Sequence, residues 1–86
     1  MKLNPDFIVH HTGNDTIIVP TASAGFSGVV KGNQTLGVIV ELIKNNLTED
    51  EIIASMKEKY DAPQGMIEQD VRNALDQLRN IGAIID

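Results

Sequence analysis

The stretch GVVKGNQTLGVIVELI, residues Gly28 to Ile43, decides the fold because it changes from strand to helix within four residues. Its VVK segment, Val29–Lys31, is a short β-branched run with a glycine on each side, which predicts a strand. Asn33 is a favourable helix N-cap, and the apolar residues after it predict a helix that runs to about Lys44.

This first helix is apolar on two sides. Five residues at helical spacing form one face: Leu36, Ile39, Val40, Ile43 and Leu47. Val38 and Leu42 lie on nearly the opposite face. A helix with two apolar faces is buried on both sides. We therefore expect it to lie between a sheet and the remaining helices.

The segments upstream and downstream complete this layout. DFIVHH and TIIVP, separated by the turn sequence TGND, predict a β-hairpin before the VVK strand. Thr48 and Glu51 form a capping-box pattern at the start of a second helix. The inward apolar stripe of this helix is Ile52, Ile53, Met56 and Tyr60. A third helix runs from Gly65 or Met66 to Ile81 and has Gly82 after it. The terminal AIID adds a short strand or packs back on the core.

The predicted order is therefore β-β-β-α-α-α, in one domain over residues 1–86. The fold class is α+β, with a three-stranded antiparallel sheet followed by three helices, similar to a winged helix-turn-helix. The chain has no Cys, which excludes disulfides and thiolate metal sites. It shows no signal-peptide pattern and no run long enough to span a bilayer, so we expect a cytoplasmic protein without a membrane partner.

Catalytic and metal-binding patterns are missing from the sequence. His10 and His11 are adjacent, and neighbouring strand residues point to opposite faces, so the two cannot readily share a metal ion. Ser23 and Ser27 have no base in sequence reach. The glycines of GFSGVVKG match neither a P-loop nor a dinucleotide fingerprint. We expect a protein that is not an enzyme and needs no cofactor or metal.

A winged-helix layout raises the question of DNA binding through the third helix. The net charge of −5 and the small number of basic residues on that helix disfavour this function. Its Arg72 and Arg79 lie on one flank of the apolar stripe, with Leu75 between them. They form either a solvated flank, with a Glu68–Arg72 pair, or a positive rim beside a groove.

Three segments of the chain together resemble the PqqD family, the small peptide chaperones of pyrroloquinoline quinone biosynthesis and their relatives. The segments are GVVKGNQTLGVIVELI, LTEDEIIASMKEKYDAP and DVRNALDQLRNIGAI. The residues that match the family pattern in order are Asn33, Gly37, Thr48, Glu51, Ile52, Tyr60, Asp61, Asp70, Val71, Leu75, Leu78 and Gly82. One position departs from it: Gly32 stands where the family usually has Leu, so an apolar anchor at the end of the strand is missing.

The resemblance implies a peptide-binding function. Such domains bind the leader segment of a ribosomally made precursor peptide and deliver it to a modifying enzyme, often a radical SAM enzyme. The leader lies along the third strand, in the groove between that strand and the third helix. The residues expected to bind it are Val29, Val30, Lys31, Arg72, Leu75, Asp76 and Arg79. Alternation allows only one of the two valines to face the groove.

Strand addition requires a free sheet edge, and a short edge strand with a lysine limits the risk of aggregation. Two other functions remain open at this stage. One is a DNA-binding winged-helix module. The other is a dimerising domain that uses the same free edge on a second copy of itself.

Overall fold

The computed structural model describes residues 1–25 and 28–85; Phe26, Ser27 and Asp86, and with them part of the loop before the third predicted strand, lie outside the described residues. The elements in chain order are β1 (Lys2–Leu3), β2 (Phe7–Thr12), β3 (Asp15–Pro20), a 3-10 turn (Ala22–Ala24), β4 (Val30–Asn33), α1 (Gln34–Lys44), α2 (Glu49–Lys59), α3 (Met66–Asn80) and β5 (Ile84–Ile85).

The antiparallel sheet has the order β2-β3-β4. A two-residue turn joins the hairpin, and its first residue, Gly13, has a φ of 58°. This backbone conformation favours glycine at that turn position. The pairing runs from Thr12 opposite Asp15 to Phe7 opposite Pro20. The predicted hairpin and the α+β class are confirmed.

Helix α1 occupies the centre of the fold, as its two apolar faces predict. It contacts β1, β3 and β4 on one side and α2 and α3 on the other. Ile39, Val40 and Ile43 are almost completely buried. A side chain at Gly37 would collide with Thr16 and with the His11 ring, so glycine lets the helix approach the hairpin closely. This contact fixes the position of α1 relative to the sheet.

The predicted ends of α2 and α3 are also present. The Glu51 N–H donates to Thr48 Oγ1 at 3.2 Å, and the Thr48 N–H donates to Glu51 Oε1 at 2.9 Å. These two bonds make the capping box, and the bond that the Thr48 N–H donates to the carboxylate lowers the pKa of Glu51. Gly82 follows α3 with a φ of 84°, and the Ala83 N–H donates to the Leu78 carbonyl. This geometry closes the C-terminal end of α3.

The structure corrects three details of the sequence prediction. Val29 precedes β4 rather than belonging to it, and the strand extends through Gly32 to Asn33, so Gly32 lies inside the strand. Tyr60, expected in the core, is 37% exposed because α2 ends before it and the backbone there turns extended. The third detail is a small second sheet in which the terminal β5 pairs with β1, a strand that the short N-terminal sequence does not predict.

Candidate functional site

Strand β4 forms one edge of the sheet. It pairs with β3, and within the described parts of the chain no strand lies on its other side. Strand β2 forms the opposite edge, so a free edge alone does not identify a binding site. What distinguishes β4 is a groove beside it that α3 also borders.

The register shows which backbone groups of β4 face this free edge. Because the two-residue turn closes on Thr12 and Asp15, this pair exchanges backbone hydrogen bonds, and the backbone groups of Asp15 point toward β2. Alternation then points those of Thr16 toward β4, where its partner is Gly32. The N–H and C=O groups of Lys31 and the N–H of Asn33 therefore point away from the sheet and are the groups that an added strand would meet. The Asn33 C=O belongs to the first turn of α1, because Asn33 is the N-cap of that helix.

The side chains of β4 alternate between the two faces of the sheet. Val30 pairs with the fully buried Ile18 and packs against the core, so it is the valine on the helix-facing side. Lys31 lies on the outer face, where its Nζ is 3.6 Å from Asp15 Oδ2. Both side chains of this ion pair are more than half exposed, so the pair contributes little to stability. Val29, just before the strand, is 59% exposed.

A groove of about 340 Å³ runs between the edge of β4, the start of α1 and one flank of α3. Its lining residues are Gly32, Asn33, Thr35, Leu36, Ile39, Asp70, Asn73, Ala74 and Gln77. Among the described residues, Asp70 is the one ionisable group in this lining. The described part of the groove thus offers apolar and hydrogen-bonding groups with a single negative charge and no basic residue.

Gly32 and Leu36 shape the floor of the groove together. A Cβ atom at Gly32 would collide with the Leu36 side chain, which is 8% exposed and belongs to the core. Leu36 therefore lies over the glycine and provides the apolar group that the strand itself lacks. The sequence expectation of a missing anchor is corrected, because the next turn of the chain supplies one.

Asn33 joins the strand to the helix without an intervening loop. It is the last residue of β4 and the N-cap of α1, and its Oδ1 accepts the Leu36 N–H at 3.1 Å. The predicted cap is confirmed. A cap of this kind is worth about 1 kcal/mol. It helps to fix the direction of β4 relative to the start of α1.

The structure does not bring the predicted residues of α3 to this groove. Leu75 is fully buried in the core. Arg72 and Asp76 do not belong to the groove lining. Arg79 lies 4.0 Å from Asp76 Oδ1 through Nη1 and donates from Nη2 to Met1 Sδ at 3.7 Å, which places it near the N-terminal segment.

The groove residues of α3 that sequence reasoning missed are Asp70, Asn73, Ala74 and Gln77. They have the spacing i, i+3, i+4, i+7 of one helix face. We call them the groove flank. Glu68, Arg72 and Arg79 border the other side of the buried stripe, and we call them the charged flank. The sequence indicates the groove flank only weakly, through a row of polar residues at helical spacing that includes one small residue, Ala74.

Side-chain charges on the charged flank are partly satisfied within the protein. Lys57 Nζ lies 3.4 Å from Glu68 Oε1, so Glu68 contacts α2. The two atoms are close enough for an ion pair, but their geometry is not that of a hydrogen bond. Glu68 Oε1 accepts no hydrogen bond from the described residues. One of the two alternatives from the sequence paired Glu68 with Arg72; the structure places Lys57 next to Glu68 instead.

The histidines lie on the hairpin side of α1. His11 Nε2 donates to Glu41 Oε1 at 2.8 Å, and this hydrogen bond lowers the pKa of Glu41, with a further contribution from Lys44. A second cavity, of about 490 Å³, has His11 and Glu41 in its lining. Among residues 1–25 and 28–85, no three His, Cys, Asp or Glu side chains gather closely enough to hold a metal ion.

Helix length also bears on membrane binding. None of the helices in the described part of the chain combines the length and the apolar character needed to cross a bilayer.

Comparisons with known proteins give one family and one fold. The family model for coenzyme PQQ synthesis protein D (PqqD) matches residues 13–84. No curated protein matches the chain. Among solved structures, TbiB1 in complex with the TbiA(beta) leader peptide is similar, with a TM-score of 0.80 and 17% sequence identity over 100% of both chains. A lasso peptide synthetase B1 complexed with its leader peptide has a TM-score of 0.78 and 16% identity, over 99% of this chain and 96% of that one.

Proposed function

The chain belongs to the PqqD family, and on that premise we propose that it binds the leader segment of a ribosomally made precursor peptide and presents it to a peptide-modifying enzyme. The observation that carries the proposal is the free edge of β4 beside the groove that α3 borders. An extended peptide that pairs with this edge places alternate side chains toward the groove. Both similar structures hold a leader peptide, which supports this choice of ligand.

The energies are sufficient for a specific but reversible complex. Lys31 and Asn33 offer up to about three backbone hydrogen bonds, worth roughly 1.5 to 4.5 kcal/mol in total. Each peptide side chain that is buried in the groove adds about 1.5 to 3 kcal/mol, and association costs about 4 kcal/mol or more. Backbone pairing alone is therefore too weak. With two buried side chains, the upper ends of these ranges, less the association cost, sum to about 6.5 kcal/mol, which corresponds to a Kd on the order of ten micromolar.

The leader-binding surface in this proposal combines both elements of the groove. On the strand it consists of the outward backbone groups of Lys31 and Asn33 and the side chain of Val30. On α3 it consists of the groove flank. Val29 is exposed at the entry of the strand, where it can contact a longer peptide. Contacts through Arg72, Asp76 and Arg79 remain a prediction that requires the peptide to extend beyond the groove lining.

The role of the chain is binding rather than catalysis. The enzyme that receives the leader is a radical SAM enzyme or another peptide-modifying enzyme. We place the protein in the cytoplasm, because precursor peptides are made there on ribosomes. The groove does not favour DNA as an alternative ligand, since Asp70 would repel a phosphate backbone and no basic residue lines the groove.

An NMR titration tests the site. The ligand is a synthetic leader peptide taken from a short precursor gene, to be sought in the genomic neighbourhood of this chain, and is called the cognate leader below. We expect the largest amide shifts at Lys31, Asn33 and the groove flank, and small shifts at Arg72 and at the hairpin turn. Binding without shifts in β4 would show that the leader uses another surface.

Self-association through the same edge predicts a different result. A second copy of the chain that pairs at β4 would give a sedimentation coefficient that rises with protein concentration and falls when leader is added. A coefficient that stays at the monomer value over the concentration range of the titration excludes this use of the edge.

A further inference from the structure

The groove beside β4 continues into a smaller recess between the three helices. The recess has a volume of about 190 Å³ and is lined by Thr35, Met56, Tyr60, Asp61, Ala62, Ile67, Asp70 and Val71. Thr35 and Asp70 line both the groove and the recess. A volume of this size is below that of a typical small-molecule site, at about 300 to 1,000 Å³, and suits a single side chain.

The inner wall of the recess is apolar. Met56, Ile67 and Val71 are core residues that are at most 8% exposed, and each presents part of its surface to the recess. Tyr60 stands at the rim with 37% of its surface exposed, although the sequence pattern predicts it in the core. The exposure follows from the end of α2 at Lys59, which turns the tyrosine away from the helix stripe.

The charges at the mouth of the recess have one sign. The carboxylates of Asp61 and Asp70 line it, and no Lys or Arg belongs to the lining. The nearby Lys57 lies 3.4 Å from Glu68. A long side chain with an apolar stem and a cationic end matches this arrangement, because its methylene groups can cover the apolar wall while the charge stays at the rim.

The recess lies beyond the C-terminal end of β4. Thr35 belongs to the first turn of α1, directly after the strand, and Asp70 is the groove-flank residue closest in sequence to the start of α3. A peptide that pairs with β4 and continues past Asn33 therefore reaches the recess. In an antiparallel arrangement the residue that enters it is N-terminal to the paired segment; in a parallel arrangement it is C-terminal.

We propose that this recess is a specificity site for one Lys or Arg side chain of the leader. The proposal rests on the proposed function and adds the chemistry that the leader must carry. The stem packs against Met56 and Tyr60, and the cation lies between Asp61 and Asp70. The Tyr60 ring adds a cation–π contact.

Selection from a displayed library of random 12-residue peptides tests both proposals separately. Wild-type protein is expected to enrich peptides with a β-forming segment and a Lys or Arg at a fixed distance from it. Selection on the Asp61→Asn/Asp70→Asn variant is expected to keep the β-forming segment and lose the Lys or Arg. Asp50→Asn/Glu58→Gln, which removes two exposed carboxylates of α2 outside the groove and the recess, is the matched control and should retain both features.

Affinities of synthetic peptides from the enriched set give the size of the effect. Replacing the Lys by Leu should weaken binding by about three- to tenfold, a modest factor because both carboxylates are solvent-exposed and screened. Replacing the Lys by Glu should weaken binding further, because the Glu is repelled by both carboxylates. The difference between Lys and Leu should shrink at high salt. A Leu peptide that binds as tightly as the Lys peptide, or enrichment of aliphatic residues at that position, overturns the recess assignment and leaves strand addition intact.

The Lys31→Pro variant distinguishes failure of the recess proposal from failure of the proposed leader binding at β4. This variant is expected to abolish enrichment of every peptide class, because the outward N–H of the strand is lost. Enrichment that survives in Lys31→Pro overturns the proposed function, and no enrichment by the wild-type chain overturns both proposals.

Discussion

The two flanks of α3 border the same buried stripe and face different parts of the molecule. The groove flank, formed by Asp70, Asn73, Ala74 and Gln77, lies across from β4 and lines a cavity with it. The charged flank instead contacts α2 through Glu68 and the N-terminal segment through Arg79. Charge density marks the second flank, but the strand lies beside the first. For a protein that binds by strand addition, proximity to the free edge is the better guide to the site.

The strongest way to test this comparison is to block the edge itself. Lys31→Pro should weaken binding of the cognate leader about thirtyfold, since it removes one outward N–H bond worth about 1 kcal/mol and its ring obstructs a neighbouring bond of similar worth. Isothermal titration calorimetry measures the loss. The fold should survive, because proline is tolerated on an edge strand when its N–H would face solvent.

Two control variants define that result. Lys31→Ala keeps the N–H and should bind within about twofold of wild type. Val30→Pro removes an N–H that points toward β3, so it should lower the melting temperature instead of acting on binding alone. Equal leader affinity in Lys31→Pro and Lys31→Ala would contradict pairing at this edge.

Neighbouring residues on α3 allow the flanks to be compared directly. Asn73→Trp places a large ring in the groove and should weaken leader binding about tenfold, because it displaces at least one buried peptide side chain. Arg72→Trp makes the same change one residue earlier, outside the groove lining, and should change the affinity less than twofold. Fluorescence anisotropy with a labelled leader measures both. The reverse ranking would move the site to the charged flank.

The floor of the groove can be altered from the strand side. Gly32→Ala should lower the free energy of unfolding by about 1 kcal/mol, because the new methyl group displaces the Leu36 side chain. In a Leu36→Ala background the same substitution should cost less, because the contacts with the Leu36 Cγ and Cδ2 atoms are gone and only the Cβ contact at 3.0 Å remains. Urea denaturation of the four variants measures the coupling. Additive effects of the two substitutions would mean that Leu36 does not occupy the space above the glycine.

The smallest predicted effect lies away from both flanks. The hydrogen bond from His11 lowers the pKa of Glu41 in the folded state, so its contribution to stability is present above the unfolded pKa of about 4.5 and is lost as the pH falls through the lower folded value. Both side chains are nearly half exposed, which limits the contribution to a few tenths of a kcal/mol.

Glu41→Gln is the variant that measures this contribution. The stability difference between wild type and Glu41→Gln should shrink as the pH is lowered from 6 to 3, as followed by urea denaturation. Leader affinity at pH 7 should be unchanged by the substitution, since Glu41 does not line the groove. A difference in stability that grows toward acid pH would contradict the assigned hydrogen bond.

The sequence predicts the helices, strands and caps better than it predicts which of these elements pack against each other. The Asn33 cap, the capping box at Thr48 and the glycine after α3 are local patterns, and the structure contains all three. The two-sided burial of α1 also follows from the spacing of its apolar residues. These features depend on residues within a few positions of one another, so the chain encodes them directly.

The site is harder to predict because it depends on which flank of α3 faces β4. Helical periodicity gives the same buried stripe for either orientation, and Arg72 and Arg79 attract attention by their charge. The β1–β5 pair is missed for a different reason, because two strands of two residues each have almost no periodicity. The choice between Val29 and Val30 required the register with β3, which a single short strand does not reveal.

Asn33 gives the binding strand a mechanical link to the centre of the protein. A leader bonded to the backbone of this residue holds the same residue whose side chain caps α1. Occupancy of the edge should therefore suppress fraying of the first turn of the helix, and amide hydrogen exchange at Leu36 should slow when the leader is bound. Under the proposed leader binding, the order of the first turn of α1 therefore depends on whether the edge of β4 is occupied.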